Sequence, residues 1–224
     1  TGTGFNATGG GAVSVAATAG TEQIVATGTG TAINFDGITV GAGGINFDQA
    51  TTAATSTGTG VDINDATGGA ITLANVSLAG TAVTSGLDVS GNARTSNVVV
   101  TSGTIANGVA LSGNGSGTVT IGASISDTAG YAVQIANRGA GAGQVDINGA
   151  VTSGTGAVSI QTNSAGIVNF GGTVTGTGAN TSGAINIDAT TGGTVTFAGL
   201  VDIDVSGAGT GVSIANSNAG GIFN

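Results

Sequence analysis

Between Gly156 and Gly211 the chain states one phrase twice and opens it a third time: GAVSIQTNSAGIVNFGGTVTGTGANTS, GAINIDATTGGTVTFAGLVDIDVSGAGT and GVSIANSNAGG. Val158 and Ile160 of the first copy correspond to Ile185 and Ile187 of the second and to Val212 and Ile214 of the third, a step of 27 residues each time. In the first two copies a second apolar pair follows ten residues after the first, Val168/Phe170 and then Val195/Phe197. Within every pair the intervening residue is Ser, Asn or Thr, so each pair marks a short strand with one face in and one face out. A repeat of this length constrains the architecture more than any local signal does: one unit cannot bury its apolar face alone, and stacked units can.

The same pattern extends back through the chain. First strands are predicted at Ile33/Phe35, Val61/Ile63, Leu87/Val89, Val109/Leu111, Val133/Ile135, Val158/Ile160, Ile185/Ile187 and Val212/Ile214, at steps of 22 to 28 residues. Second strands follow at Val13/Val15, Ile45/Phe47, Ile71/Leu73, Val98/Val100, Val119/Ile121, Val145/Ile147, Val168/Phe170 and Val195/Phe197. A shorter third strand follows at Ile24/Val25, Val76/Leu78, Ile105, Ile125, Val151, Val174 and Val201/Ile203. The uneven step means that turns of different length are spliced between fixed strands. Only the stretch around Phe5 and that from Thr51 to Gly60 fit the scheme loosely. The expected fold is an all-β parallel β-helix, one solenoid over residues 1–224, with about nine coils of 22–28 residues and three strands per coil. At about 4.8 Å per coil it would be a rod of roughly 40 Å.

Turn residues agree. Asn92, Asn114 and Asn163 lie five residues after the first inward residue of their coils, with Asn64, Asn137 and Asn216 a little earlier. Asn tolerates a left-handed backbone and offers an amide to the next coil. Gly117, Gly166 and Gly193 stand before second strands, where a sharp corner favours a residue without Cβ. The high content of Gly, Thr and Val disfavours helix. A membrane barrel would need longer strands and aromatic girdles, which one Tyr and six Phe do not supply.

Composition removes whole classes of function. With no Cys or His there is no disulfide, no thiol or imidazole metal site and no histidine-based catalysis. Two basic residues, Arg94 and Arg138, against eleven acidic ones exclude a phosphate-tracking surface, so nucleic acid is not an expected partner. Forty-six glycines would fit disorder, but a mean hydropathy of +0.40 and the ordered alternation of Val, Ile, Leu and Phe oppose it. No apolar run is long enough for a transmembrane helix. The first residues, TGTGFNATGG, carry no signal peptide, and the chain opens without Met and closes partway through a repeat at GGIFN. It is therefore expected to be part of a longer protein, its ends meeting further coils of the same chain or end-to-end subunits.

The phrases GIVNFGGTVTGTG, GGTVTFAGLVDID and GSGTVTIGASISDTAG resemble the repeats of right-handed parallel β-helix surface proteins. These are autotransporter passengers, filamentous-haemagglutinin-type adhesins and the giant Gly/Thr/Ala-rich β-strand-repeat proteins. The resemblance covers most of the chain. It implies a right-handed, pectate-lyase-like solenoid and an extracellular location, and it identifies no ligand. The role expected is a structural or adhesive rod or filament segment at the surface of a Gram-negative-type bacterium, with host or cell surfaces or surface polysaccharide as partners; the alternatives are a polysaccharide-binding or -degrading β-helix and an ice-binding solenoid.

Chemistry must come from ten Asp, one Glu and two Arg. Asp62 and Asp88 lie between the inward residues of first strands in adjacent coils, so both point outward about 4.8 Å apart, with Asp65 in the turn after Asp62. Such a pair presents hard oxygen ligands for Ca²⁺, or the close carboxylates of a retaining glycosidase. The alternative is two solvated carboxylates on a polar face, with no metal, cofactor or catalytic residue; this is the expectation adopted, with Asp62, Asp65 and Asp88 as the metal candidates. Asp202 and Asp204 form a second outward pair. A lyase would add a basic residue, but Arg94 and Arg138 read as ordinary surface arginines in turns. The GxG triplets at Gly28–Gly30, Gly58–Gly60 and Gly154–Gly156 are corners with no following Lys or helix, not phosphate loops. Thr118/Thr120 and Thr194/Thr196 have the form of an ice-binding hydroxyl rank, interrupted by Gln144/Asp146 and Ile167/Asn169. On the third strand Ser124/Ser126 and Thr173/Thr175 come nearer, interrupted by Ala150.

Overall fold

In a computed structural model of the chain, describing residues 2–18, 20–80, 85–177, 182–205, 208–217 and 222–223, every regular element is a β-strand and every strand pairing is parallel. The repeat thus winds as a parallel β-solenoid. Its first sheet has nine strands stacked in chain order, from Phe5–Thr8 through Ile33–Asp36, Val61–Asn64, Leu87–Ser90 and Val109–Ser112 to Val212–Ala215. Nine strands delimit about eight turns.

The register places like residues over like. Val61 pairs with Leu87, Leu87 with Val109, Val109 with Val133, and the file continues through Val158 and Ile185 to Val212. The parallel file runs Phe35, Ile63, Val89, Leu111, Ile135, Ile160, Ile187. Across the interior the second strands align Phe47, Leu73, Val100, Ile121, Ile147, Phe170 and Phe197. Val61, Leu87, Val100 and Ile121 are 0% exposed, and each such side chain contributes roughly 1.5–3 kcal/mol by leaving water. Phe170 and Phe197 stack with ring centroids 4.7 Å apart, and Phe5 meets Phe35 and Phe47 edge-on at 5.7 and 5.4 Å.

Second and third strands are not always separate. Ile71–Leu78 and Val98–Ala106 run through both positions without a break, joining the two files into one sixteen-stranded sheet. Of the two loosely fitting stretches, the one around Phe5 is a regular strand, whereas in the second only Thr51 and Thr52 are strand and residues 53–60 form an irregular connection. Phe5–Thr8 is the first strand of the opening coil, with Phe5 opposite Ile33. Gln49–Thr52 is a third strand between Gln23–Ala26 and the end of Ile71–Leu78; its inward residues are Ala50 and Thr52, too small or too polar to read as an apolar pair. Val25, in contrast, faces out at 55% exposure beside inward Ile24. In the first coil the second strand is shifted by a bulge, so Val15 stands opposite Ile45.

The expectation of two surface arginines is overturned. Arg94 and Arg138 are each 2% exposed and occupy the inner corner after the first strand, where earlier coils carry Ile38 and Ala66. Arg94 Nη1 donates to the Ser96 carbonyl at 2.7 Å and Nη2 to the Gly117 carbonyl at 2.9 Å; Arg138 Nη2 donates to the Gly143 carbonyl. Their long stems fill the corner while the guanidiniums satisfy carbonyls that the turns leave unpaired. Burial, and then the neighbouring charge of Arg94, pull the Arg138 pKa down to about 10.

This corner also explains two glycines. Neither Gly117 nor Gly166 has positive φ; what forbids a Cβ at Gly117 is the Ser96 carbonyl of the coil beneath with the Arg94 guanidinium beside it, and at Gly166 the Asn163 side chain of its own turn together with Arg138 of the coil beneath. A methyl at Gly117 would run into the Ser96 carbonyl and lie 2.8 Å from Arg94 Nη1, and one at Gly166 would lie 2.7 Å from Asn163 Oδ1 and 3.0 Å from Arg138 Nε. The left-handed positions fall instead on Asp65, Asn107, Asn137, Thr162, Ala189 and Asn216 among non-glycine residues. Of the turn asparagines, Asn92 and Asn114 cap the next coil, their Oδ1 atoms accepting from the Asn114 and Gly139 N–H groups, while Asn163 is fully buried and bonds within its own turn.

Candidate functional site

The outward positions of the first sheet are where the described residues gather chemistry. Because the register aligns Asp88 with Asp62 and Asp62 with Asn34, these side chains form one file on the outer face. Two residues along, Asp36, Asn64 and Ser90 form the next. Together the six line a groove of about 340 Å³ spanning three coils. Asn34 Nδ2 donates to Asn6 Oδ1 at 2.6 Å, Asn64 Nδ2 donates to Asp36 Oδ1 at 2.9 Å, and Ser90 Oγ reaches Asn64 Oδ1 at 3.4 Å.

The expected pair, Asp62 and Asp88, is therefore brought together in adjacent coils. Both carboxyls titrate above the ordinary 3.8. Partial burial is the main cause for Asp62, and the Asp36 charge adds to it. For Asp88 burial again leads and the Asp62 charge adds, with a hydrogen bond from Ser90 pulling the other way. Asp36 is the member that sequence reasoning missed. It closes a first strand one residue past the inward Phe35, and its relation to Asp62 is diagonal, which alternation along one strand does not reveal.

Asp65 does not line this groove. It sits in the turn with φ 47°, and its Oδ1 accepts from the Ala93 N–H at 2.8 Å, a capping role that joins two coils. Arg94 does not face the groove either, being buried in the corner. Asp202 and Asp204 are both exposed on the strand Val201–Asp204. The donors at the groove are all oxygens, suited to a hard cation, yet among the described residues no three acidic side chains converge as a metal cluster.

The hydroxyl ranks are resolved by the register. Thr72, Val99, Thr120, Asp146, Asn169 and Thr196 succeed one another, so the second-strand rank is broken. On the third strand Thr51, Ser77, Thr104 and Ser124 are consecutive, as are Ser126, Thr152 and Thr175 before Asp202. Thr51 escaped notice because its strand did.

No helix among the described residues is long and apolar enough to cross a membrane. No protein-family model, curated protein or solved structure matches this chain.

Proposed function

We propose that this chain is a segment of a structural or adhesive rod, displayed on the outside of a bacterial cell, that extends and spaces by stacking coils and makes contact through its long polar faces. One observation carries the reading: the interior files run in register through all nine strands of the first sheet, so each coil is held by its neighbours and the array is stiff along its axis. Function here is mechanical. Val201, Val205, Val212 and Ile214, exposed at 39%, 41%, 53% and 51% at the last described coils, are the side chains that a further coil, of the same chain or of an end-to-end subunit, would cover. Electron microscopy of tandem copies, with antibody labelling of intact producing cells, tests this. The expected results are filaments lengthening by roughly 40 Å per copy and label on unbroken cells. Compact particles, or label only after lysis, would refute it.

A second reading is favoured by the groove at Asp36, Asp62 and Asp88: a Ca²⁺-assisted contact with surface polysaccharide. Cleavage of that polysaccharide is a weaker proposal. A retaining glycosidase needs one carboxyl protonated and its partner ionised, whereas Asp62 and Asp88 are displaced in the same direction. Screening acidic and neutral polysaccharides with the native chain and with Asp62→Asn/Asp88→Asn separates these: turnover lost in the variant establishes an enzyme, and no turnover in either favours the rod.

A further inference from the structure

Two coils beyond Asp88 on the same outer face lies a second concavity, of different chemistry. Tyr131, the single tyrosine, opens the strand Tyr131–Arg138 and pairs in register with Gly156, the residue above it. Its hydroxyl donates to the Gly183 carbonyl at 2.9 Å, 52 residues and two coils on. The ring is thus laid along the axis, across a residue without a side chain, and tethered at its far end. Beside it Gln134 stands opposite Ser159 and Ala136 opposite Gln161. These residues, with Ile135, line a trough of about 160 Å³ in which Ser159 is 5% exposed.

We propose that this trough is a saccharide subsite, taking one ring of a neutral glycan laid against Tyr131. An aromatic face held in place offers a stacking surface at little entropic cost. Amides and a hydroxyl around it match a ligand with hydroxyls on every edge. The volume is about half the lower end of the range for a whole small-molecule pocket, which fits one ring of a longer chain. Charge selects further. The lining holds no ionisable group other than the tyrosine itself, while Asp188 stands opposite Gln161 one coil on and Asp88 lies about 10 Å away along the axis in the other direction, so anionic chains are repelled from both sides. A peptide is the poorer occupant. The strand is paired on both sides, so no edge is open for strand addition, and a proline-rich segment needs an aromatic-lined groove where this trough has one ring.

The chain has no tryptophan, so its tyrosine emission comes from this site alone. Titrating the protein with neutral trisaccharides of glucose, N-acetylglucosamine and mannose, and with trigalacturonate, should change that emission for at least one neutral sugar, with a dissociation constant of about a millimolar. Tyr131→Phe keeps the ring and should bind within about threefold by calorimetry, whereas Tyr131→Ala should abolish binding. Gln134→Ala, which leaves the ring and its tether intact, should weaken binding by about three- to tenfold. Melting curves establish that each variant is folded. The proposal is overturned if no neutral sugar alters the emission up to about twenty times that concentration, if folded Tyr131→Ala or Gln134→Ala binds as the native chain does, or if trigalacturonate or a proline-rich peptide binds in preference. None of these outcomes bears on the rod, which could space and extend without holding a sugar.

Discussion

Gly166→Ala isolates why the corners of this solenoid are glycine. The backbone at Gly166 has an ordinary φ, so alanine is conformationally acceptable there and, on backbone grounds alone, would stabilise by about 0.4–1 kcal/mol. The obstacle is the Asn163 side chain of the same turn, backed by Arg138 of the coil beneath. The new methyl would stand 2.7 Å from Asn163 Oδ1 and 3.0 Å from Arg138 Nε, several tenths of an ångström inside ordinary contact. Neither neighbour has room to withdraw. The Asn163 amide is 0% exposed and bonded at both ends to Gly166, accepting at 3.1 Å and donating at 3.2 Å, and Arg138 is buried. Overpacking of about 1–3 kcal/mol, with partial loss of two hydrogen bonds of about 1 kcal/mol each, gives an expected loss of about 2–4 kcal/mol. Urea unfolding followed by circular dichroism measures it. Gly28→Ala, where a methyl meets nothing within 4 Å, is the control. In an Asn163→Ala background the shorter of the two contacts is removed, so the double-mutant cycle should show a coupling above about 1 kcal/mol. A loss at Gly166 no larger than at Gly28, or a coupling near zero, would refute the close-approach explanation.

Leu87→Ala, at a fully buried position between Val61 and Val109, should cost about 3–5 kcal/mol, and Ile214→Ala, half exposed on the last first-sheet strand, under about 1 kcal/mol by the area still in water; equal losses in urea titrations would contradict nearest-neighbour stacking. Because Asp62 and Asp88 titrate above 3.8, the folded chain retains protons that the unfolded chain has already released as pH rises past that value. Their contribution is therefore a penalty that grows through the window from 3.8 to the raised values and then levels off, and Asp62→Asn/Asp88→Asn should flatten that slope in melting curves taken across it. If the acidic groove takes Ca²⁺, calorimetry should show one site lost in the same double variant and retained in Asp65→Asn, since Asp65 is committed to the Ala93 N–H; loss in Asp65→Asn alone would move the site to the turn. Thermal hysteresis is expected to be absent, because Val99, Asp146 and Asn169 interrupt the second-strand rank; a measurable hysteresis would turn attention to the face of Thr51, Ser77, Thr104 and Ser124.

The architecture was legible in the residues because a parallel solenoid repeats one physical demand in every coil. An inward position must be apolar and its neighbour must not be, so the pairs from Ile33/Phe35 to Val212/Ile214 announce both strand and register. The Asp62–Asp88 pair was legible for the same reason, as two outward residues at equivalent positions of adjacent coils. Strands whose interior is filled by Ala50 and Thr52 gave no such signal.

What only the tertiary structure decided depends on which coil lies above which residue. Arg94 and Arg138 look like solvated turn residues until Gly117 and Gly166 in the following coils are seen to leave them space. Asp36 joins Asp62 only diagonally, and Tyr131 meets Gly183 across two coils. Alternation along a strand reports whether a side chain points in or out. Its neighbours across the stack are set by turn lengths, which vary from coil to coil and leave no periodic mark in the chain.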